Sequence, residues 1–335
     1  MKYSFYNVVD PEFKAVNQLI INSLSSHVPL VEEIANYLID AGGKRLRPLL
    51  VLLSSKALGY QRNEHIKLAA VIEFLHTAML LHDDVVDDSL LRRGRKTVNA
   101  EWGNPASVLV GDFLHSRALE MMVDIGEMEV MQILSVATNT IAEGEVQQLT
   151  NIRNPNITEL SYLEVIDRKT AKLFEASSHA GAVLALSLNE GVSGSKEDQE
   201  IARVQKASLK HFGQHLGMAF QLVDDALDYV GTTEQLGKNV GDDLAEGKVT
   251  LPLIVAMRTG KKNESRLIED AILNADINKL DDVMEIVEST GGLDYTNQKA
   301  EQEIQKALSC LTHIPDSAYK TEMQNLATFS LQRNT

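Results

Sequence analysis

An apolar run that closes on four aspartates constrains this chain more than any other feature. Leu68, Ala69, Ala70, Val71, Ile72, Phe74, Leu75, Ala78, Met79 and Leu80 make residues 64–88 apolar on nearly every side, and the run ends in His82-Asp83-Asp84-Val85-Val86-Asp87-Asp88. A helix apolar all round lies in the middle of a bundle. The same helix sets Asp83 one turn from Asp87, and Asp84 one turn from Asp88. Like charges at that spacing destabilise a bare helix by about 0.2–0.5 kcal/mol per pair, so something positive belongs between them. Carboxylate oxygens suit a hard divalent cation, above all Mg²⁺. The pattern returns at Asp224-Asp225-Ala226-Leu227-Asp228, again beside apolar sequence, Met218 to Val223. One copy reads equally well as a solvated face. Two copies in apolar surroundings do not, and such clusters suit facing each other across metal ions that bridge carboxylates to substrate phosphates.

The rest of the chain predicts helix after helix: 11–24, 30–40, 46–57, 64–88, 105–123, 127–150, 158–188, 200–230, 248–258 and several short segments after 264. The 7 prolines are spread out, most near an apparent helix start where proline is tolerated. No segment alternates as a strand between turn residues. Residues 189–206, with glycines, serines and charges, predict an exposed loop entering a charged helix. The expectation is an all-α fold, one large bundle, and a single domain over 1–335. With 32 Lys+Arg against 47 Asp+Glu, the net charge of -15 argues against a nucleic-acid binder. Cys310 has no second cysteine to pair with, which fits a reducing, cytoplasmic setting. Leu68 to Leu81 is too short and too interrupted, by Glu73 and His76, to span a bilayer.

Cations gather at a few places. Ala41-Gly42-Gly43-Lys44-Arg45-Leu46-Arg47-Pro48 sets three of them behind two glycines, and Lys44 and Arg47 are spaced to share a helix face. That cluster suits an anion with several oxygens, such as diphosphate. The alternative, a plain charged helix start, is weakened because cations there oppose the helix dipole. Arg92 and Arg93 follow the first acidic cluster, as counter-charges, as phosphate ligands, or as both. Lys169-Thr170-Ala171-Lys172 interrupts a helix, and Gly237-Lys238 follows the second acidic cluster; alone, these read as solvated lysines and a loop. Two carboxylate clusters, several cationic spots and an aliphatic wall suit a molecule with a diphosphate head and a hydrocarbon tail. No Ser/His/Asp, zinc or nucleotide-loop pattern competes.

These residues resemble the trans-prenyltransferases, the polyprenyl diphosphate synthases, over nearly the whole chain. The markers are Gly43 to Pro48, His76, the first aspartate motif with Arg92 and Arg93, Gly111-Asp112, Glu143-Gly144-Glu145, Lys169-Thr170, and the second aspartate motif followed by Gly237-Lys238. Leu80 to Asp88, Ala106 to Phe113 and Gly237 to Gly247 look most like the long-chain bacterial members. The resemblance implies a homodimer, a bundle with a central cavity between the two acidic motifs, Mg²⁺ as cofactor, isopentenyl diphosphate and an allylic prenyl diphosphate as substrates, and product release at a membrane surface. It implies Asp83, Asp84, Asp87, Asp224, Asp225 and Asp228 as metal residues. Arg92, Lys169, Thr170, Gln221 and Lys238 would hold the allylic diphosphate, with Lys169 also counted in the catalytic set. Lys44, Arg47, His76 and Arg93 would hold isopentenyl diphosphate. His76 by itself reads as an ordinary core histidine; only the resemblance makes it a ligand. A shorter-chain synthase, a class I terpene cyclase and a non-catalytic partner subunit are the competing readings.

The growing tail is expected to leave the metals along the apolar side of 64–88. Ala78 and Met79 lie about one turn below Asp83. Met121, Met122 and Leu134 are candidates for the floor. Each of the five is also, on its own, an ordinary core position.

Overall fold

A computed structural model describes residues 3–190, 195–230 and 240–332. Helices carry nearly all of it: α1 (Ser4–Asn7), α2 (Asp10–Ser23), α3 (Pro29–Asp40), α4 (Leu46–Ala57), α5 (Glu64–Val86), α6 (Val98–Trp102) and α7 (Asn104–Ile125). Then come α8 (Met128–Asn151), α9 (Glu159–Ile166), a π turn (Asp167–Ala171), α10 (Lys172–Glu190) and α11 (Lys196–Leu227). The chain closes with α12 (Asp242–Ala245), α13 (Leu251–Thr259), α14 (Lys262–Asn274), α15 (Leu280–Ser289), α16 (Gly292–Cys310) and α17 (Ala318–Leu331). Two-residue strands β1 (Leu91–Arg92) and β2 (Arg95–Lys96) form the one exception to the all-α expectation among the described residues. The chain divides into two compact units, the first built from Met1–Thr138, Leu173–Gly213 and Ala307–Ala327, the second from Asn139–Lys172, Gln214–Lys306 and Thr328–Thr335. No helix among the described residues is long and apolar enough to cross a membrane.

In the first unit the core is aliphatic. Leu49 to Leu53 of α4 and Leu68 to Ile72 of α5 are fully buried, as the all-round apolar pattern requires. Helices α5 and α7 pack along each other antiparallel. The Ser107 hydroxyl donates to the Leu81 carbonyl (2.8 Å) at one end, and Lys67 pairs with Asp124 (3.5 Å) at the other. Gly111 belongs to that seam, because a Cβ there would enter the His82 ring. Met121 and Met122 therefore lie opposite the Leu68–Ala70 stretch of α5, about 14 Å down the helix from Ala78. Ala78, Met121, Met122 and Leu134 are buried and Met79 is half-buried. The second unit has its own core, including Tyr162, Ile166, Leu222, Val223, Tyr229, Leu251, Leu253 and Val287.

Four local expectations change. Helix α5 ends at Val86, and Asp88 takes a left-handed φ of 51°, so Asp84 and Asp88 are not a helical pair. Lys44 and Arg47 do not share a helix face: Arg45 is the left-handed N-cap of α4 (φ 48°), and Lys44 precedes it. The predicted helix 158–188 is split by the π turn at Asp167–Ala171. Most of 189–206 is helical, with α10 reaching Glu190 and α11 starting at Lys196; residues 191–194, with Gly237, Lys238 and Asn239, lie outside the described residues.

Helices α4 and α10 meet at Gly181, where a Cβ would stand 2.9 Å from the Val51 carbonyl oxygen and 3.2 Å from Ser54 Cβ. Gly181→Val is expected to cost about 1–3 kcal/mol through overpacking. Urea unfolding checks it; an unchanged midpoint would mean the seam opens freely.

Candidate active site

The first aspartate motif is the end of α5 and the turn after it. The Asp87 amide donates to the Asp83 carbonyl (2.8 Å), so these two keep the one-turn spacing read from the sequence. Asp84 points inward: its side chain is 5% exposed, and Arg92 Nε and Nη2 both donate to its Oδ1 at 2.8 and 2.6 Å. The Asn99 side chain fixes the backbone of the turn by donating to the Asp84 and Ser89 carbonyls, both at 3.1 Å. The hairpin that delivers the arginines pairs Leu91 with Lys96 and Arg92 with Arg95. Its two-residue loop, Arg93-Gly94, has φ of 54° and 73°, positive at both positions as a type I′ turn requires. A non-glycine residue held there is strained, and Arg93 is held by donating to the Gly42 carbonyl.

Around α4 the cations are buttressed one by one. Arg47 Nη1 lies 3.1 Å from His76 Nε2, and its guanidinium lies 4.3 Å from the centre of the Phe174 ring. Arg45 Nε approaches Glu73 Oε1 at 3.7 Å. The Lys44 carbonyl accepts from the Tyr6 hydroxyl. Burial, reinforced by the charges of Arg47, Arg93 and Arg92, holds His76 well below its usual range, so it is a neutral imidazole beside Arg47. Burial raises the buried carboxyl of Glu73, against the pull of Arg45, Arg93 and Arg47. Arg45, Arg92 and Arg93 also line a cavity of about 820 Å³ with Glu73, Phe74 and Thr77.

In the second unit a cavity of about 680 Å³ brings together Lys169, Thr170, Gln221 and Asp225. Lys169 and Thr170 sit on the π turn, a feature frequent at functional sites. The turn lies tight on α8, since a Cβ on Gly144 would come within 3.0 Å of the Lys169 nitrogen. Lys169 Nζ reaches Glu145 Oε2 at 2.6 Å. The Thr170 hydroxyl donates to Gln221 Oε1 (2.8 Å), and Gln221 Nε2 donates to Asp225 Oδ1 (2.7 Å). The Tyr162 hydroxyl donates to Asp225 Oδ2 (2.5 Å). Burial and then the Asp225 charge push Tyr162 well above its usual value, so it stays a donor. Burial and the charge of Asp243 raise Asp225 as well. Asp228 is fully buried, with Oδ2 accepting the Asp243 amide at 3.2 Å, while Asp224 is half-exposed.

Among the charged and aromatic residues of this cavity, sequence reasoning missed Tyr162, Asp243 and Lys248. Asp243 and Lys248 were legible in principle, as charges in the run after the second motif. Tyr162 was not, because its partner is 63 residues away.

The donor chemistry fits a divalent cation. Among the described residues no three acidic or histidine side chains converge to hold a metal by themselves. Mg²⁺ is usually bound in that way, by one or two carboxylates together with substrate phosphates and water.

The sequence pattern described as Polyprenyl synthetase matches residues 28–290. The chain belongs to the polyprenyl synthetase family. It is 46% identical over 98% of its length to the octaprenyl diphosphate synthase of Haemophilus influenzae, covering 95% of that protein. With the Escherichia coli octaprenyl diphosphate synthase it shares 45% identity, over 96% of each chain. The crystal structure of the Caulobacter crescentus polyprenyl synthase, complexed with calcium and isoprenyl diphosphate, superposes with a TM-score of 0.92 at 41% identity, over 99% of this chain and 97% of that one. The fold is thus the all-α isoprenoid synthase type, and the enzyme is a prenyltransferase that makes long-chain polyprenyl diphosphates.

His76 and His65 give the fold a pH dependence of known sign. Both are depressed, His65 to about 4 by burial and the Lys56 charge. The unfolded chain takes up these protons below about pH 6.5 and the folded one does not. Stability is therefore expected to fall as pH drops from 6.5. His76→Gln should flatten that slope in urea unfolding between pH 7 and 5; an unchanged slope would place the charge uptake elsewhere.

Proposed function

We propose that this enzyme extends an allylic prenyl diphosphate with isopentenyl diphosphate, one all-trans isoprene at a time, using Mg²⁺ and ending at octaprenyl diphosphate for a quinone side chain. The octaprenyl synthases among its relatives support that product. The observation that carries the assignment of residues is the second-unit cavity, where Lys169, Thr170 and Gln221 meet an aspartate of the second motif.

In this reading Asp83, Asp87 and Asp224, which are half-exposed, ligate Mg²⁺ directly. Asp84, Asp225 and Asp228 are buried and hold Arg92, Gln221 with Tyr162, and the Asp243 amide. Bound Mg²⁺ supplies the positive charge that stabilises diphosphate as it departs. Arg92, Lys169, Thr170 and Gln221, with Lys238 on the resemblance alone, hold the allylic diphosphate. Lys44, Arg47 and Arg93 hold isopentenyl diphosphate, and neutral His76 keeps Arg47 aimed. The double bond of isopentenyl diphosphate attacks the allylic carbocation, and the proton lost passes to the departed diphosphate. Aliphatic walls keep water from the cation. Ala78 and Met79 line the upper tail path, and Met121, Met122 and Leu134 the floor.

The family match from 28 to 290 supports reading 1–335 as one catalytic domain. A homodimer is supported by the outer face of α7 and the start of α8, where Leu109 (66% exposed), Leu119, Val123, Met128 and Val136 present apolar side chains to solvent. The setting proposed is the cytoplasm, with the product released at a membrane surface. A terpene cyclase is disfavoured because it has no second diphosphate to occupy Lys44, Arg47 and Arg93.

Labelled isopentenyl diphosphate, an allylic primer and Mg²⁺ are expected to give a product of eight isoprenes, and Asp83→Ala or Asp224→Ala to lower turnover by about a hundredfold or more. Lys44→Ala and Arg47→Ala should raise the KM for isopentenyl diphosphate, and Lys169→Ala that for the primer, each by about tenfold. A cyclised or single-condensation product, or equal effects on both substrates, would defeat the reading.

Product length tests the tail path. Ala78→Tyr should stop products at short chains, and Met122→Ala should lengthen them, both read by chromatographic sizing. Long chains from Ala78→Tyr would rule out this route.

A further inference from the structure

Beside the second aspartate motif runs a hydrogen-bonded chain whose inner end has no part in the chemistry above. It begins at Tyr162 on α9, passes through Asp225 and Gln221 on α11, and ends at Thr170 on the π turn, with links of 2.5, 2.7 and 2.8 Å. With Asp225 ionised its direction is fixed, because a carboxylate only accepts hydrogen bonds. Gln221 must therefore turn its NH₂ toward Asp225, which turns its carbonyl toward Thr170. The single proton of the Thr170 hydroxyl then goes to Gln221, and one amide N–H of Gln221 is left over for a ligand.

Asp225 can impose this only if its own carboxylate is held. Gln221 and Asp225 are one turn apart on α11, so the contact between them leaves the carboxylate a second oxygen to be fixed from elsewhere. Tyr162 does that. Its ring is 4% exposed and packed in the second-unit core with Ile166 and Leu222, so the hydroxyl has little freedom to move.

We infer that Tyr162 is a positioning residue for the allylic diphosphate: by holding Asp225 it fixes the Gln221 amide, and through it sets which protons of α11 and the π turn face the ligand. The inference rests on the proposed function, in which Thr170 and Gln221 contact that diphosphate. Tyr162 touches no reacting atom. Its removal acts on one substrate, on the second-unit side, and leaves the cations around α4 as they are.

Tyr162→Phe keeps the ring and removes the donor. With the melting temperature within a few degrees of wild type, the KM for the allylic primer is expected to rise about tenfold, as loss of a hydrogen bond to a charged group would allow, and that for isopentenyl diphosphate to stay within about twofold. In a double-mutant cycle, Asp225→Asn should add little to Tyr162→Phe in primer KM, because the two act through one chain. Equal changes for both substrates, no change for either, or full additivity would overturn the inference. Should Tyr162→Phe fail to fold, 3-fluorotyrosine placed at 162 keeps the hydroxyl. Its fluorine signal should shift when Mg²⁺ and inorganic pyrophosphate saturate the protein, and an unmoved signal at saturation would overturn it too. Wild-type protein that makes no polyprenyl product would instead bring down the function reading itself.

Discussion

Both aspartate motifs stand at the wrong end of a helix. The C-terminus of an α-helix carries the negative end of its dipole, and carboxylates there are destabilising. Yet Asp83 and Asp84 fall in the last turn of α5, Asp224 and Asp225 fall in the last turn of α11, and neither last turn contains a basic residue. The chain around them must answer that charge. Arg92 answers part of it by placing two nitrogens on one oxygen of Asp84, and the hairpin exists in the form it does to bring Arg92 there. Asn99 and Thr97 hold the intervening turn, the Thr97 hydroxyl donating to the Ser89 carbonyl at 2.7 Å.

The second motif meets the same problem differently. Asp225 accepts from two neutral donors, Tyr162 and Gln221, and Asp228 Oδ2 from the backbone amide of Asp243. Neutral donors satisfy lone pairs without cancelling charge. Lys169 stands nearby but is paired with Glu145. Under the proposed function a diphosphate arriving with its metal ions takes over that lysine, in a competition between an internal carboxylate and the ligand that only a strongly charged head group wins.

How far the sequence revealed this depended on the range of each interaction. The helical order of α5 and the Asp83–Asp87 spacing follow from a local period, and both were legible. Asp88 was misread because it leaves the helix for a left-handed turn that leads into the hairpin beginning at Leu91. Gly94 could have signalled that hairpin, since a glycine after Arg93 suits a turn with two positive φ values. The Arg45 distortion was hidden for a similar reason: a left-handed N-cap depends on partners, Asn17 and Glu73, that no local pattern announces. Gly111 and Gly144 were recognisable only as family markers, yet each has a plain steric cause in the close approach of a neighbouring helix or turn. Tyr162 lay beyond any local reasoning.

The same polarity argument explains why one unit can hold both an aspartate motif and a cation cluster without the two cancelling. Lys44, Arg45 and Arg47 crowd the start of α4, where the dipole is positive and its first turn holds no acidic residue. Aspartates crowd the end of α5, where it is negative. Each cluster therefore adds to its helix dipole instead of offsetting it, and the unit bears two fields of opposite sign, eased by the Arg45–Glu73 and Arg92–Asp84 pairs. A diphosphate is the natural complement of a helix start bearing cations, and a divalent cation that of a helix end bearing carboxylates. With a net charge of -15, the surface as a whole offers an anionic substrate no attraction. Under the proposed function, the selectivity for a metal-bound allylic diphosphate at one place and a metal-free isopentenyl diphosphate at another comes from this opposed arrangement. A ligand without its metal meets repulsion at the end of α5, and a metal ion alone meets repulsion at the start of α4.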